Sequence, residues 1–271
     1  MILAMFQTQV STLRGGPWHL LIPVGCIGVV VANLSWSVES QPASAPVLPV
    51  VSVPTPTVVD DRIDVAYDSF INNPTGSQLS FTRLSDGHHV GSATERYPRP
   101  ALSLIKLYIA DYVLVHGTEA EKEQALEMIR GSSDGYAEEL FAAYPDSIEA
   151  VARDYGLWST RSSEEGWGYS VTSMYDVVKF VRAKLEHDPK SPLLQAMKEA
   201  HDTAEDGYAQ NFGTAVLPGV VGTKWGWSND YVVHSSVSFG DDYVVAAAVL
   251  GSAEDLTSLV ERRVRPLLAG Q

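Results

Sequence analysis

The sequence contains a single cysteine, Cys26, among 271 residues. One cysteine cannot form an intrachain disulfide or a multi-thiolate zinc site, so a disulfide scaffold and a zinc ribbon are both excluded. Basic residues are also scarce: 19 Lys and Arg stand against 33 Asp and Glu, a formal net charge of -14. Nucleic-acid binding needs a basic face that displaces counterions, and this balance argues against it. No internal repeat is apparent, which removes solenoids and propellers. His88-His89 sits beside the Asp86-Gly87 turn and reads as exposed polar sequence rather than a metal pair. No metal or cofactor is expected.

Charge is missing altogether between Arg14 and Glu39, with His19 neutral. The apolar run Pro17 to Trp36 is about 20 residues, enough to cross a bilayer as a helix. Trp18 and Trp36 flank it, where indole rings favour the headgroup layer. Three fates stay open: a retained anchor, a signal cleaved near Val30-Val31-Ala32, or lipidation at Cys26. Pro23 stands where a lipidation signal wants an aliphatic residue. Residues 1–40 are assigned to a cytoplasmic tip with a transmembrane or signal segment. Residues 41–60 form a linker, because Gln41 to Pro56 carries five prolines in sixteen residues and favours an extended spacer. Residues 61–271 form one domain, long enough to bury a core. It would face outward at the cell membrane, or be secreted if the segment is cleaved.

Within that domain, Asp64 to Ile71 has a short helical pattern. Gln78 to Leu84 and His89 to Glu95 read as a strand pair around Asp86-Gly87. Helices are expected from Leu102 to His116, from the Thr118-x-x-Glu121 capping box to Arg130, and from Asp146 to Gly156. Met174, Val177, Val178, Val181 and Leu185 share one helical face after a Thr172 cap, and another helix covers Leu193 to Glu205. Three strands follow, Val220 to Trp227, Tyr231 to Phe239 and Tyr243 to Leu250, before a closing helix at Glu254 to Leu268. Strands at both ends of a helical middle predict an α+β fold, with one antiparallel sheet built from the N- and C-terminal strands.

Three short motifs carry chemistry. Ser103-Leu104-Ile105-Lys106 puts a hydroxyl and an amine three residues apart on one helical face. A serine becomes a nucleophile when a base takes its proton, and a lysine does this only when neutral, which burial or a second cation favours. Ser132-Ser133-Asp134, in the loop after the second helix, offers a hydroxyl that can relay a proton. Lys224-Trp225-Gly226, on the first closing strand, offers a second cation. The backbone N–H groups of Trp227 and Ser103 could then hold an oxyanion. Each motif also has a plainer reading: a solvated lysine near a helix start, a polar turn that caps a helix, an exposed strand lysine. Gly131-Ser132-Ser133-Asp134-Gly135 matches the G-x-S-x-G elbow as well, but that elbow needs a preceding strand.

Taken in order, the three motifs resemble the penicillin-recognising serine hydrolases, the superfamily of class A β-lactamases and D,D-peptidases: S-x-x-K, S-D-N or S-x-N, and K-[ST]-G. Arg99 to Leu107, Met128 to Ser132, and Trp167 to Thr172 add to the likeness. The resemblance implies a β-lactamase- or transpeptidase-like fold. It implies that Ser103 is acylated, Lys106 is its base, Ser132 relays the proton, and Lys224 anchors a substrate carboxylate. Asp134, Trp225 and Trp227 would complete the substrate-binding set.

Three departures stand out. Asp134 replaces an amide that can donate with a carboxylate that accepts. Trp225 replaces a hydroxyl residue. The spacing from Ser103 to Ser132 is much shorter than in class A β-lactamases, so the cleft wall between them must be reduced. In addition, no E-x-x-L-N stretch supplies a deacylating base, although Glu164-Glu165 lies in the corresponding region. Two functions therefore remain in view. One is an extracytoplasmic serine hydrolase acting on a small-molecule or peptidoglycan-related amide or ester. The other is a catalytically impaired domain of the same fold, serving as a cell-envelope binding or scaffolding module.

Overall fold

The computed structural model describes residues 76–269. The N-terminal apolar segment, the linker and the helix expected at 64–71 lie outside the described residues. Among the described residues no helix is long and apolar enough to cross a membrane.

The chain opens with β1 (Gln78–Arg83), β2 (His89–Gly91) and the short strand β3 (Arg99–Pro100). Helices α1 (Lys106–His116), α2 (Glu119–Arg130), α3 (Asp134–Ala143) and α4 (Ser147–Tyr155) follow. Then come β4 (Val171–Thr172), α5 (Met174–His187) and α6 (Pro192–Lys198). Strands β5 (Val220–Trp227), β6 (Val233–Gly240) and β7 (Tyr243–Leu250) lead to α7 (Ala253–Arg263) and α8 (Arg265–Leu268). Both chain ends contribute to one five-stranded antiparallel sheet, ordered β2-β1-β7-β6-β5. This is the α+β arrangement the strand–helix–strand order predicts.

The centre of the sheet is buried on both faces, which is why β7 reads as a nearly continuous apolar run. Along β7, Val244, Ala246 and Ala248 join a core with the helical middle, including Leu107, Tyr108, Ile129 and Phe180. The alternate residues Val245, Ala247 and Val249 join a second core with Leu256, Val260 and Val264 of the C-terminal helix. Register then assigns β5. Lys224 pairs with Val237, which pairs with Ala246, so Lys224 faces the helical middle. Trp225 pairs with Ser236, which pairs with Ala247, so Trp225 faces the C-terminal helix.

Local signals account for most of the boundaries. Thr118 and Glu121 form the expected capping box at α2, and Gly156 ends α4 in the left-handed conformation at φ 63°. Several elements differ from expectation: the strand expected to reach Glu95 ends at Gly91, the strand expected from Tyr231 starts at Val233, and the closing helix is interrupted at Val264. The helix expected from Leu102 begins as a 3-10 turn at Leu102–Ile105 and becomes α-helical at Lys106. The helix expected to reach Glu205 ends at Lys198, and Ser173, not Thr172, caps α5. Helix α3 was not expected; Ser133 starts it by accepting from the Tyr136 N–H at 3.2 Å. That cap, and the helix rather than strand before it, rule out the G-x-S-x-G elbow at Ser133.

Candidate active site

The S-x-x-K residues stand where the chain changes direction. Ala101 donates its N–H to the Ser170 carbonyl at 3.0 Å, and Arg99 pairs with Thr172, so β3 is held against β4 just before the turn. Leu102 then takes a positive φ of 53°, a costly conformation for a branched residue. Behind the turn runs β5. A Cβ placed on Gly226 would lie 2.8 Å from the Leu102 Cβ and 2.9 Å from the Ser103 nitrogen. Only a glycine lets the strand approach this closely. The Gly of the third motif therefore has a steric reason to follow Lys224.

Ser103 is 9 % exposed and lines a cleft of about 620 Å³. Its hydroxyl forms no hydrogen bond among the described residues. Lys106, one helical turn on, is fully buried at the start of α1. Its ammonium donates to the Ser132 carbonyl at 2.6 Å and to Asp134 Oδ1 at 2.5 Å, and lies 4.8 Å from the centre of the Trp167 ring. Ser132 also has positive φ, 56°. Its carbonyl contacts Lys106, while its hydroxyl accepts from Lys224 Nζ at 2.6 Å. Ser132 thus stands between two buried ammonium groups, and both Ser103 and Ser132 open onto the cleft.

Electrostatics follows from burial. Desolvation pushes the Lys106 ammonium below the ordinary lysine range, while the neighbouring Asp134, Asp206 and Glu205 carboxylates oppose the shift. Lys224 is held well below that range, first by complete burial and then by the charge of Lys106. Burial therefore shifts both amines toward the neutral form that a base for a serine nucleophile requires.

Of the seven site residues expected from sequence, five occupy this locus: Ser103, Lys106, Ser132, Asp134 and Lys224. Trp227 lines the far end of the cleft, with its indole N–H on Asp206 Oδ2 at 2.9 Å. Trp225 does not line it. Its indole packs in the second core and donates to the Phe212 carbonyl at 2.9 Å, because strand alternation turns it away from Lys224. Lys224 itself reaches the cleft only through the Ser132 hydroxyl. Glu164 and Glu165 are exposed and do not line the cleft.

Sequence reasoning missed Trp167, Glu205, Asp206 and Asp230, all of which line the cleft. The Trp167-Gly168-Tyr169 turn held a legible hint, two aromatics around a glycine outside any periodic element. The acidic residues held none, since isolated loop carboxylates usually serve as solvated charges.

These features define a known class of architecture. The described domain has the β-lactamase fold, that of the penicillin-recognising serine hydrolases. A β-lactamase from Desulfarculus baarsii superposes with a TM-score of 0.59 at 14 % identity, over 78 % of this chain and 97 % of that one. A β-lactamase from Xanthomonas campestris gives 0.58 at 17 % identity, over 78 % and 98 %. The class A β-lactamase of Mycobacterium abscessus gives 0.58 at 13 % identity, over 78 % and 98 %. No protein-family model and no curated protein matches the sequence.

Proposed function

We propose that the chain is a serine hydrolase that forms an acyl-enzyme on Ser103, acting at the outer face of a membrane through its N-terminal segment. The observation that carries this reading is the Lys106–Ser132–Lys224 contact chain directly behind a cleft-facing serine. In the proposed cycle, neutral Lys106 takes the Ser103 proton as the serine oxygen bonds the substrate carbonyl carbon. Among the described residues Lys106 donates to the Ser132 carbonyl and Asp134, not to the Ser103 hydroxyl. A contact between nucleophile and base commonly tightens only with substrate present. Ser132 receives a hydrogen bond from Lys224, which leaves its own proton free for the departing oxygen or nitrogen. The protonated Lys106 restores the Ser132 proton and is neutral again; water then attacks the acyl carbon and gives a proton to Lys106, which passes it to the Ser103 oxygen as the acid departs, so that Ser103, Lys106 and Ser132 all return to their starting states.

A fluorophosphonate probe tests the nucleophile. Peptide mass spectrometry is expected to find the phosphonyl adduct on Ser103. A folded protein that stays unmodified after long exposure points instead to the envelope-binding alternative, which the Lys106–Asp134 ion pair favours because the carboxylate opposes loss of the Lys106 proton.

That ion pair yields a second prediction. The acid limb of kcat/KM reports the free-enzyme pKa of the base. The Asp134 charge stabilises protonated Lys106, so Asp134→Asn is expected to lower the Lys106 pKa further and move the acid limb to lower pH. Activity on the acid limb should rise several-fold, with little change on the alkaline plateau. A limb that stays in place or moves to higher pH would remove Lys106 from the role of base.

A further inference from the structure

The cleft contains no arginine, lysine or histidine among the described residues that line it. Its charged lining is entirely carboxylate: Asp134, Glu205, Asp206 and Asp230. Asp134 is already paired with Lys106. The other three form no ion pair among the described residues, although Asp206 and Glu205 act on the Lys106 charge from a distance; Asp206 accepts from Trp227 Nε1 and the Tyr208 N–H, and Asp230 accepts from the Ser228 hydroxyl. Two indoles, Trp167 and Trp227, complete the walls, and Trp167 already takes the Lys106 ammonium near its ring. Into this same space opens Ser103, nine-tenths buried, with a hydroxyl that has no hydrogen-bond partner among the described residues.

Carboxylates beside aromatic faces form the chemical complement of an alkylammonium group, which gains both Coulomb and ring-quadrupole attraction. A substrate carboxylate would meet the opposite. Both nearby cations are fully buried: Lys106 is paired with Asp134, and Lys224 lies behind Ser132 in contact with its hydroxyl. Trp225, the neighbour from which a hydroxyl would be expected, faces the other core. A volume of about 620 Å³ suits a ligand of small-molecule size.

We propose that the substrate of this cleft is an ester or amide carrying a positive charge, an alkylammonium group held by Trp227, Asp206, Glu205 and Asp230 while Ser103 attacks the carbonyl. The inference rests on the serine hydrolase reading for its chemistry, but the recognition it describes can be measured without turnover. Carboxylate-bearing acyl donors are excluded by the same charges.

Three 4-nitrophenyl esters of one shape test it on the full-length chain: the 4-(trimethylammonio)butanoate, the uncharged 5,5-dimethylhexanoate and the anionic hydrogen glutarate. At low ionic strength, kcat/KM for the cation is expected to exceed that of the uncharged ester about tenfold and that of the anion about a hundredfold. In the Asp206→Asn/Asp230→Asn double variant the cation-to-neutral ratio should fall towards one. If Ser103 accepts the fluorophosphonate but all three esters turn over alike, the charge preference is overturned and the hydrolase reading survives. If Ser103 stays unmodified and no ester is cleaved, the hydrolase reading fails. Calorimetry with butyltrimethylammonium then decides the rest: binding that the double variant abolishes retains the cation site, and absence of binding removes it.

Discussion

Lys106→Met is expected to lower kcat/KM for any ester substrate by about a thousandfold, the usual scale for loss of a positioned general base. Methionine keeps the unbranched length of the side chain, so the start of α1 stays filled. The neighbours tolerate the loss unequally. The Asp134 side chain is 70 % exposed and can turn to water, whereas the Ser132 carbonyl loses a buried donor, worth about 1–3 kcal/mol. Against that stands the desolvation of the ammonium, which the variant no longer bears. Thermal stability should therefore change little while activity collapses. Single-turnover acylation and fluorophosphonate labelling should slow in parallel. A variant that acylates at the wild-type rate would show that another group takes the Ser103 proton.

The sheet and most helices were legible because their signals are local. Thr118 with Glu121 announces α2, and the β7 run of Val and Ala sits between two turns. The ordered motifs also picked out Ser103, Lys106, Ser132 and Lys224, which the fold brings to one locus. What local signals cannot encode is the strained geometry. Nothing in the residue types of Leu102 or Ser132 announces a positive φ. That conformation is imposed where β3, β4 and β5 meet. It also cuts the expected helix at Leu102 into a 3-10 turn and an α-helix. Trp225 shows the same limit in reverse. The motif assigned it to substrate, but register sends its indole into the second core. The carboxylates of the cleft come from three separate segments, around residues 134, 205–206 and 230, and only the folded chain joins them.

Lys224→Met should separate stability from function. The ammonium is fully buried and held well below the ordinary lysine range, by desolvation first and by the charge of Lys106 second. Its folded value thus lies under its unfolded one. Between the two, the unfolded chain binds more protons, so the stability of the wild type rises with pH across that window. At neutral pH the buried group consequently costs stability. Replacing a buried charged group with an apolar one of similar volume is often neutral or stabilising by about 1–4 kcal/mol. Denaturant melts are expected to show Lys224→Met at least as stable as wild type at pH 7, with the difference shrinking as pH approaches about 9.5, just below the ordinary lysine value. The comparison should stop there. Tyr155 and Tyr243, each pushed up to about 12, hold protons in the folded state that the unfolded chain releases above its own tyrosine value, and both forms lose stability in that range. Activity should move the other way. Without Lys224 Nζ the Ser132 hydroxyl loses the donor that orients it, and kcat/KM should fall by about a hundredfold or more. A variant that is both stable and fully active would mean that Ser132 does not hand its proton to the leaving group. A variant much less stable than wild type would mean that the Lys224–Ser132 contact holds the β5 edge to the α2–α3 loop rather than serving the reaction.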